Sequence, residues 1–296
     1  MDGTNEKLKK KFVEEKVIDE NKKLKYLSFG KFLGKNIEAI YSSSLGLNAR
    51  RINENKEKDI CMRYMMKELD IHLMNMPNTN HTSEVLNIDD FPEEKIVSFD
   101  DISDDEKKQY ILRYLHFKKD AVIGSLPGKP ISMQLADCNA IYIFDETKNV
   151  YGLVHSGWQG TLSLIIINTI EKMKKDFDIN TKNLKFVLGP AISKDSFEVE
   201  SDVFLEFKKM LEEQKMDPKK YILKKEDKEN KRYIDLKRII IDILKEKYDV
   251  NSENILNIDD DTFSKKNDIG EYIYHSHRRD GKNAGRNFAI IYLKRD

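Results

Sequence analysis

The sequence predicts an α/β fold in which short buried strands alternate with amphipathic helices. Apolar runs at 131–135, 140–144 and 150–154 are strand-length and bounded by polar residues or glycine. Leu162, Ile165, Ile166, Thr169, Ile170 and Met173 then recur at helical spacing, and the run from Leu184 to Ile192 returns to a buried strand stopped by Gly189-Pro190. Such alternation fits neither a helical bundle nor an all-β sandwich.

The 296 residues are ample for one large core or two small ones. Lysine plus arginine equals aspartate plus glutamate, so no net field favours nucleic acid or an anionic membrane. The start, Met1 to Lys7, lacks the apolar core of a signal peptide, and the greasiest run, Leu162 to Ile170, is too short to span a bilayer, so a cytoplasmic protein is expected. Two distant cysteines, Cys61 and Cys138, make no disulfide framework.

Taken in order, residues 1–24 are rich in lysine and glutamate and read as a charged arm or helix ahead of a single domain over 25–296. The pattern from Lys25 to Tyr41 suggests a strand pair with Gly30 and Gly34 at turns. Asn53 to Leu69 reads as an amphipathic helix in which Cys61 is a small buried residue. Ile71 to Ile88 reads as strand, loop and strand, with His81 at the end of the loop. Residues 89–118 look like a peripheral insertion. Within it, Ser103 and Glu106 have capping-box spacing and predict a helix from about Asp104 through Tyr114. Further on, Ser201 with Asp202, and Asp235, are placed to cap helices running through Leu211 and Leu244, and the mixed charges of 224–232 indicate a solvated loop.

The chemistry sits at strand ends. Asp137, Cys138 and His155 are presented there, and Ser156-Gly-Trp-Gln-Gly-Thr161 predicts a tight turn into a helix. Unpaired N–H groups at that helix start, with Gly157, Gly160 and Thr161, make either a candidate anion site beside His155 or only a turn. The segment from Glu271 to Leu293 reads as strand, glycine-rich turn and strand, with His275 and His277 on one face. Arg278, Arg279 and Arg286 cluster around its turn, where guanidinium groups suit phosphate or carboxylate.

Three blocks then resemble the YfiH/laccase-domain family: Ala136-Asp-Cys-Asn139 with Gly152 through Thr161, Gly189-Pro-Ala-Ile192 with Phe197-Glu-Val199, and His277-Arg-Arg-Asp-Gly281 with Gly285-Arg286. The dipeptide Asp120-Ala121 also follows the family's pattern. The resemblance implies a layered single domain with mixed β-sheets flanked by helices. It implies a zinc ion held by His81, Cys138 and His155; copper was reported historically for the family. One thiolate and two imidazoles suit zinc and leave a fourth position open. The implied activity is phosphorolysis of adenosine, inosine, guanosine or methylthioadenosine, with adenosine deamination as a second activity and purine nucleoside and phosphate as partners. Arg278 and Arg279 would hold phosphate, and Asp137 or Asp280 would carry a proton or support the site. The chain departs from the pattern at Asn78-Thr-Asn-His81, which lacks the usual Gln-Val, at Gln159, where the family has arginine, and at Ala191 with Ser193 to Ser196. Two competing readings are a metal-independent hydrolase using Cys138 and His155, and a purine-binding protein without catalysis. Six histidines are too few for a laccase with several coppers.

Overall fold

A computed structural model describes residues 3–19, 24–44, 65–90, 111–224 and 230–294. Two large mixed sheets are stacked, and helices cover the outer face of one of them. The first has seven strands in the order β1 (Glu14–Asp19), β2 (Leu24–Ser28), β3 (Ile37–Ser42), β16 (Asn287–Leu293), β8 (Ile131–Leu135), β4 (Leu73–Asn78) and β6 (Ile111–Lys118). The second has six, in the order β15 (Ile255–Asn257), β11 (Leu184–Leu188), β9 (Asn139–Asp145), β10 (Val150–Ser156), β7 (Ala121–Gly124) and β5 (Val85–Asn87). A small third sheet joins β12 (Glu198–Val199), β14 (Arg232–Ile234) and β13 (Ile222–Leu223).

The period-two alternation of strands divides the core. On β9, Ala140, Tyr142 and Phe144 face the first sheet and pack with Tyr41, Met133 and Ile291. Ile141 and Ile143 face the other way, against Ile166, Ile170 and Met173 of helix Ile165–Phe177 and Ile239, Ile240 and Ile243 of helix Leu236–Tyr248. Both faces of β9 and β10 are therefore covered and every residue in them is buried, which is why these strands read as unbroken apolar runs. A third cluster, with Ile40, Met74, Met76, Phe288 and Ile290, packs Met65 and Met66 on the outer face of the first sheet.

The expected strands at 131–135, 140–144, 150–154 and 184–188 are present, as is the strand, loop and strand around His81. Asp235 caps its helix by accepting the Arg238 N–H, whereas Ser201 is already inside its helix and Glu200 holds the cap position. Of the helix expected over 53–69, Met65 to Glu68 are helical, and Cys61 lies outside the described residues. Residues 111–114 correct the expectation of a helix: Ile111–Lys118 is an edge strand paired in parallel with β4, and 104–110 are outside the described residues. That run carries isoleucine, tyrosine and phenylalanine, which suit a pleated surface. The expected stripe from Leu162 to Met173 is broken into helices Trp158–Leu162 and Ile165–Phe177 by Leu164, which takes φ 57°.

Residues at the start of the chain join the main body. Helix Gly3–Phe12 leads into β1, the edge strand of the seven-stranded sheet. At the other end, the strand expected before the arginines is absent. Ser276 instead accepts the Arg279 N–H and starts the short helix His277–Asp280, so His275 and His277 do not share a strand face.

Candidate metal centre

Sheet topology gathers the site at one end of the six-stranded sheet. Strands β9 and β10 are antiparallel with Asn139 opposite Ser156 and Ala140 opposite His155, so Cys138, just before β9, lies beside the end of β10. Strand β7 flanks β10 on the other side with Ala121 opposite Val154, which sets Asp120 next to His155. Strand β5 pairs with β7 starting from Val85 opposite Ala121, and this brings the loop carrying His81 to the same edge. One ligand atom each from His81, Cys138 and His155 lie within 4.8 Å of one another.

Asp120 organises two of these three residues. Its fully buried carboxylate accepts the backbone N–H groups of Asn80, His81 and Thr82, at 3.1, 3.0 and 2.6 Å, and the Thr82 hydroxyl at 2.8 Å. The same carboxylate lies 2.7 Å from His155 Nδ1. These bonds hold His81 at φ 56°, a left-handed conformation uncommon outside glycine. Burial opposes ionisation of Asp120, but the His155 ring and the Thr82 N–H outweigh it and pull the carboxyl down to about 2. For His155, burial likewise opposes charge, yet the neighbouring Cys138 sulfur and Asp120 raise the imidazole to about 10 in the metal-free site. Burial, with the neighbouring His155, holds His81 below its ordinary value and keeps a lone pair free.

Gly157 faces the thiolate. A Cβ there would stand 2.7 Å from Cys138 Sγ and 3.4 Å from His81 Nδ1, so only glycine leaves this space open. The space and donor set fit a zinc ion: two nitrogens and one sulfur converge, and Asp120 fixes His155 from its far nitrogen, as in carboxylate–histidine–zinc arrangements. Helix Trp158–Leu162 is a single turn, Gly160 is buried, and the Thr161 hydroxyl donates to the Gly157 carbonyl and contacts Ser156 Oγ at 2.9 Å. Gln159 is exposed on this turn.

Asp137 is a knot of three loops. It takes φ 83°, its carboxylate accepts the Thr262 hydroxyl at 2.7 Å and the Arg278 N–H at 2.6 Å, and its carbonyl accepts the Ile192 N–H. The two arginines diverge. Arg278 is exposed; one guanidinium N–H goes to the Glu198 carbonyl and the group stacks on Phe197 at 5.3 Å. Arg279 is turned inward, onto the carbonyls of Thr262, Phe263 and Tyr274 and both oxygens of Asp280, over the Tyr272 ring at 3.8 Å. With every nitrogen engaged, Arg279 fastens the loop in this structure. Asp280, paired with Arg279, is likewise occupied. Arg286 donates to the carbonyls of Ala284 and Gly285.

Sequence reasoning placed the three ligand candidates but left Asp120 out of the site, although Asp120-Ala121 stood out as a pattern. Thr262 and Tyr41 gave no signal. Tyr41 is fully buried, and burial with the charges of Asp137 and Cys138 pushes its hydroxyl far up, keeping it neutral.

Fold and site define a mixed α/β protein with a Cys-His-His centre of metal-binding type at a sheet end. The chain belongs to the family described as multi-copper polyphenol oxidoreductase laccase, whose pattern matches residues 38–294. It is similar to a purine nucleoside phosphorylase of Clostridium acetobutylicum, 31% identical over 183 residues covering 59% of this chain and 67% of that one. An adenosine deaminase from an unknown prokaryotic organism is 32% identical over 90 residues, 30% of this chain and 34% of the deaminase. The Bacillus licheniformis protein YfiH has the same fold, with a TM-score of 0.72 at 17% identity over 91% of this chain and 96% of that one. No helix among the described residues is long and apolar enough to cross a membrane.

Proposed function

We propose that this protein is a zinc-dependent purine nucleoside phosphorylase, cleaving adenosine, inosine, guanosine or methylthioadenosine with phosphate, with adenosine deamination as a second activity. The observation that carries this reading is the convergence of His81, Cys138 and His155 within 4.8 Å, fixed from behind by Asp120. The clostridial phosphorylase and the deaminase support the purine chemistry. When bound, zinc supplies Lewis acidity at an open fourth position. His81, Cys138 and His155 hold it, while Asp120 keeps the His155 ring in one orientation. Arg278, anchored by one N–H to Glu198 and otherwise exposed, presents its remaining donors to phosphate. Asp137 and Asp280 spend their carboxylates on loop contacts and hold the site in place instead of shuttling protons. Among the described residues this is the one such ligand cluster, which supports a single-metal centre over a multi-copper oxidase.

A second reading has its own observation. Cys138, His155 and Asp120 have the order of a thiol, a base and an orienting carboxylate, with 2.7 Å between the last two. A hydrolase of that kind gives no role to His81, which Asp120 holds through its backbone N–H opposite His155, with ring centroids 5.1 Å apart. The metal reading uses all four residues.

Chromatography of adenosine, inosine and methylthioadenosine, incubated with zinc-loaded protein with and without phosphate beside Cys138→Ser, tests the proposal. Phosphate-dependent release of free base, lost in the variant, is expected. Activity that survives chelation would move the assignment to the hydrolase, and absence of turnover with bound nucleoside to a binding protein.

A further inference from the structure

Helix Gly3–Phe12 lies ahead of residue 38, where the family pattern begins. Its side chains nevertheless reach the loop that supports the metal-type centre. Asn5 makes a reciprocal pair with Asn257, donating to its carbonyl at 3.0 Å and accepting its N–H at 2.9 Å. Lys9 forms an ion pair with Asp259 and lies 3.7 Å from Asp260, all three side chains being mostly sheltered from solvent. Between these contacts, the buried Lys237 amine donates to the Ile258 carbonyl.

The loop continues directly into the site. The Asp260 side chain accepts the Tyr274 hydroxyl, and its carbonyl accepts the Ala191 N–H. The Thr262 N–H donates to the Ala191 carbonyl, and the Thr262 hydroxyl donates to Asp137. Asp137, at φ 83°, is the residue before Cys138. A left-handed aspartate persists only where its surroundings hold it, and Thr262 is one of the three groups that do so. The route from the helix to the thiol thus runs through side chains and one short loop.

We propose that Asn5 and Lys9 are positioning residues: helix Gly3–Phe12 braces the segment 257–262 so that Thr262 keeps Asp137, and with it Cys138 Sγ, in line with His81 and His155. Neither residue touches the metal position. Lys237 and Ala191 also hold the segment, so losing the helix contacts loosens the thiol without releasing it. The inference rests on the metal reading for one of its two measurements only.

Full-length Asn5→Ala, Lys9→Met, Lys9→Arg and Lys10→Ala proteins test it. The first measurement is the alkylation rate of Cys138 relative to Cys61 in metal-free protein, resolved by peptide mass. The second is zinc affinity by competition with a chromophoric chelator. Asn5→Ala and Lys9→Met are expected to raise the Cys138-to-Cys61 ratio about threefold or more and to weaken zinc by a similar factor. Lys9→Arg should keep wild-type values because it retains the ion pair, and Lys10→Ala, on the exposed face, should change nothing. An unchanged ratio in both Asn5→Ala and Lys9→Met overturns the inference, as does an equal change in Lys10→Ala. If Lys9→Met fails to fold, Asn5→Ala decides. If wild-type protein binds no zinc, the metal reading falls and the alkylation ratio still decides the brace.

Discussion

Asp120 and His155 stand 2.7 Å apart, and the same carboxylate holds the backbone of His81. One side chain therefore sets the relative position of two candidate ligands that lie seventy-four residues apart in the chain (155 − 81 = 74). Asp120→Asn keeps the shape but turns an acceptor into a partial donor facing three N–H groups. It should weaken zinc by about 10- to 100-fold and cost about 3 kcal/mol in chemical denaturation, because buried donors lose their acceptor. Wild-type affinity in this variant would remove Asp120 from the centre.

The pair also predicts a pH window for the metal-free protein. The Asp120 carboxyl is held at about 2, below its ordinary 3.8, so its contribution is complete above 3.8 and lost as pH falls toward 2. The His155 imidazole is raised from 6.5 to about 10, so its contribution is complete below 6.5 and lost as pH rises toward 10. The lowered His81 imidazole acts in the opposite sense, since below 6.5 the unfolded chain takes up that proton first and the folded state loses stability. The melting temperature should therefore decline as pH rises from 6.5 toward 10 and again as pH falls below 3.8, with both declines reduced in Asp120→Asn. A melting temperature that climbs from pH 6.5 to 10 would contradict the assignment.

Because His155 is protonated in the metal-free site at neutral pH, zinc uptake must displace that proton. Titration calorimetry in two buffers of different ionisation enthalpy at pH 7.5 should report release of about one proton or more per zinc. Zinc binding with no proton release would place the metal elsewhere.

Gly157→Ala isolates the geometry of the centre. The backbone at this position, φ −73° and ψ −172°, is open to alanine, so the folded state loses little stability. The added methyl would meet Cys138 Sγ at 2.7 Å, and the thiolate must move. Zinc affinity should fall about tenfold or more, with a melting temperature near wild type.

The arginines should separate by phenotype. Arg278→Ala is expected to raise the KM for phosphate about tenfold with stability unchanged, since its guanidinium is exposed and its backbone N–H to Asp137 survives the substitution. Arg279→Ala should cost about 2–3 kcal/mol by uncapping three carbonyls and Asp280. The opposite assignment of the two effects would reverse their roles.

Strands β9 and β10 were legible because burial on both faces leaves continuous apolar runs, β8 because its apolar residues alternate at period two, and Cys138 and His155 because they flank the β9 and β10 runs. His81 was reached through family resemblance, since nothing in a loop histidine itself distinguishes a ligand from a surface residue. Asp120 escaped because its role comes from the pairing of β7 against β10, a long-range register that local pattern does not carry. Arg278 and Arg279 are neighbours of one type, and only the packed loop distinguishes the inward side chain from the outward one. The helix expected across 111–114 failed for a related reason: pairing with β4 determines the strand, and that partner lies more than thirty residues earlier.

The grip on the His81 loop is made through main-chain N–H groups and a single threonine hydroxyl. Because the bonds to residues 80 and 81 are to their main-chain N–H groups, the carboxylate is indifferent to which side chains stand there. Side chains at positions 79 and 80 can therefore change while the imidazole stays in place, so the Asn78-Thr-Asn80 run, which departs from the pattern the resemblance implies, is compatible with the same backbone grip. The information that sets the place of the His81 imidazole is stored thirty-nine residues downstream, in Asp120.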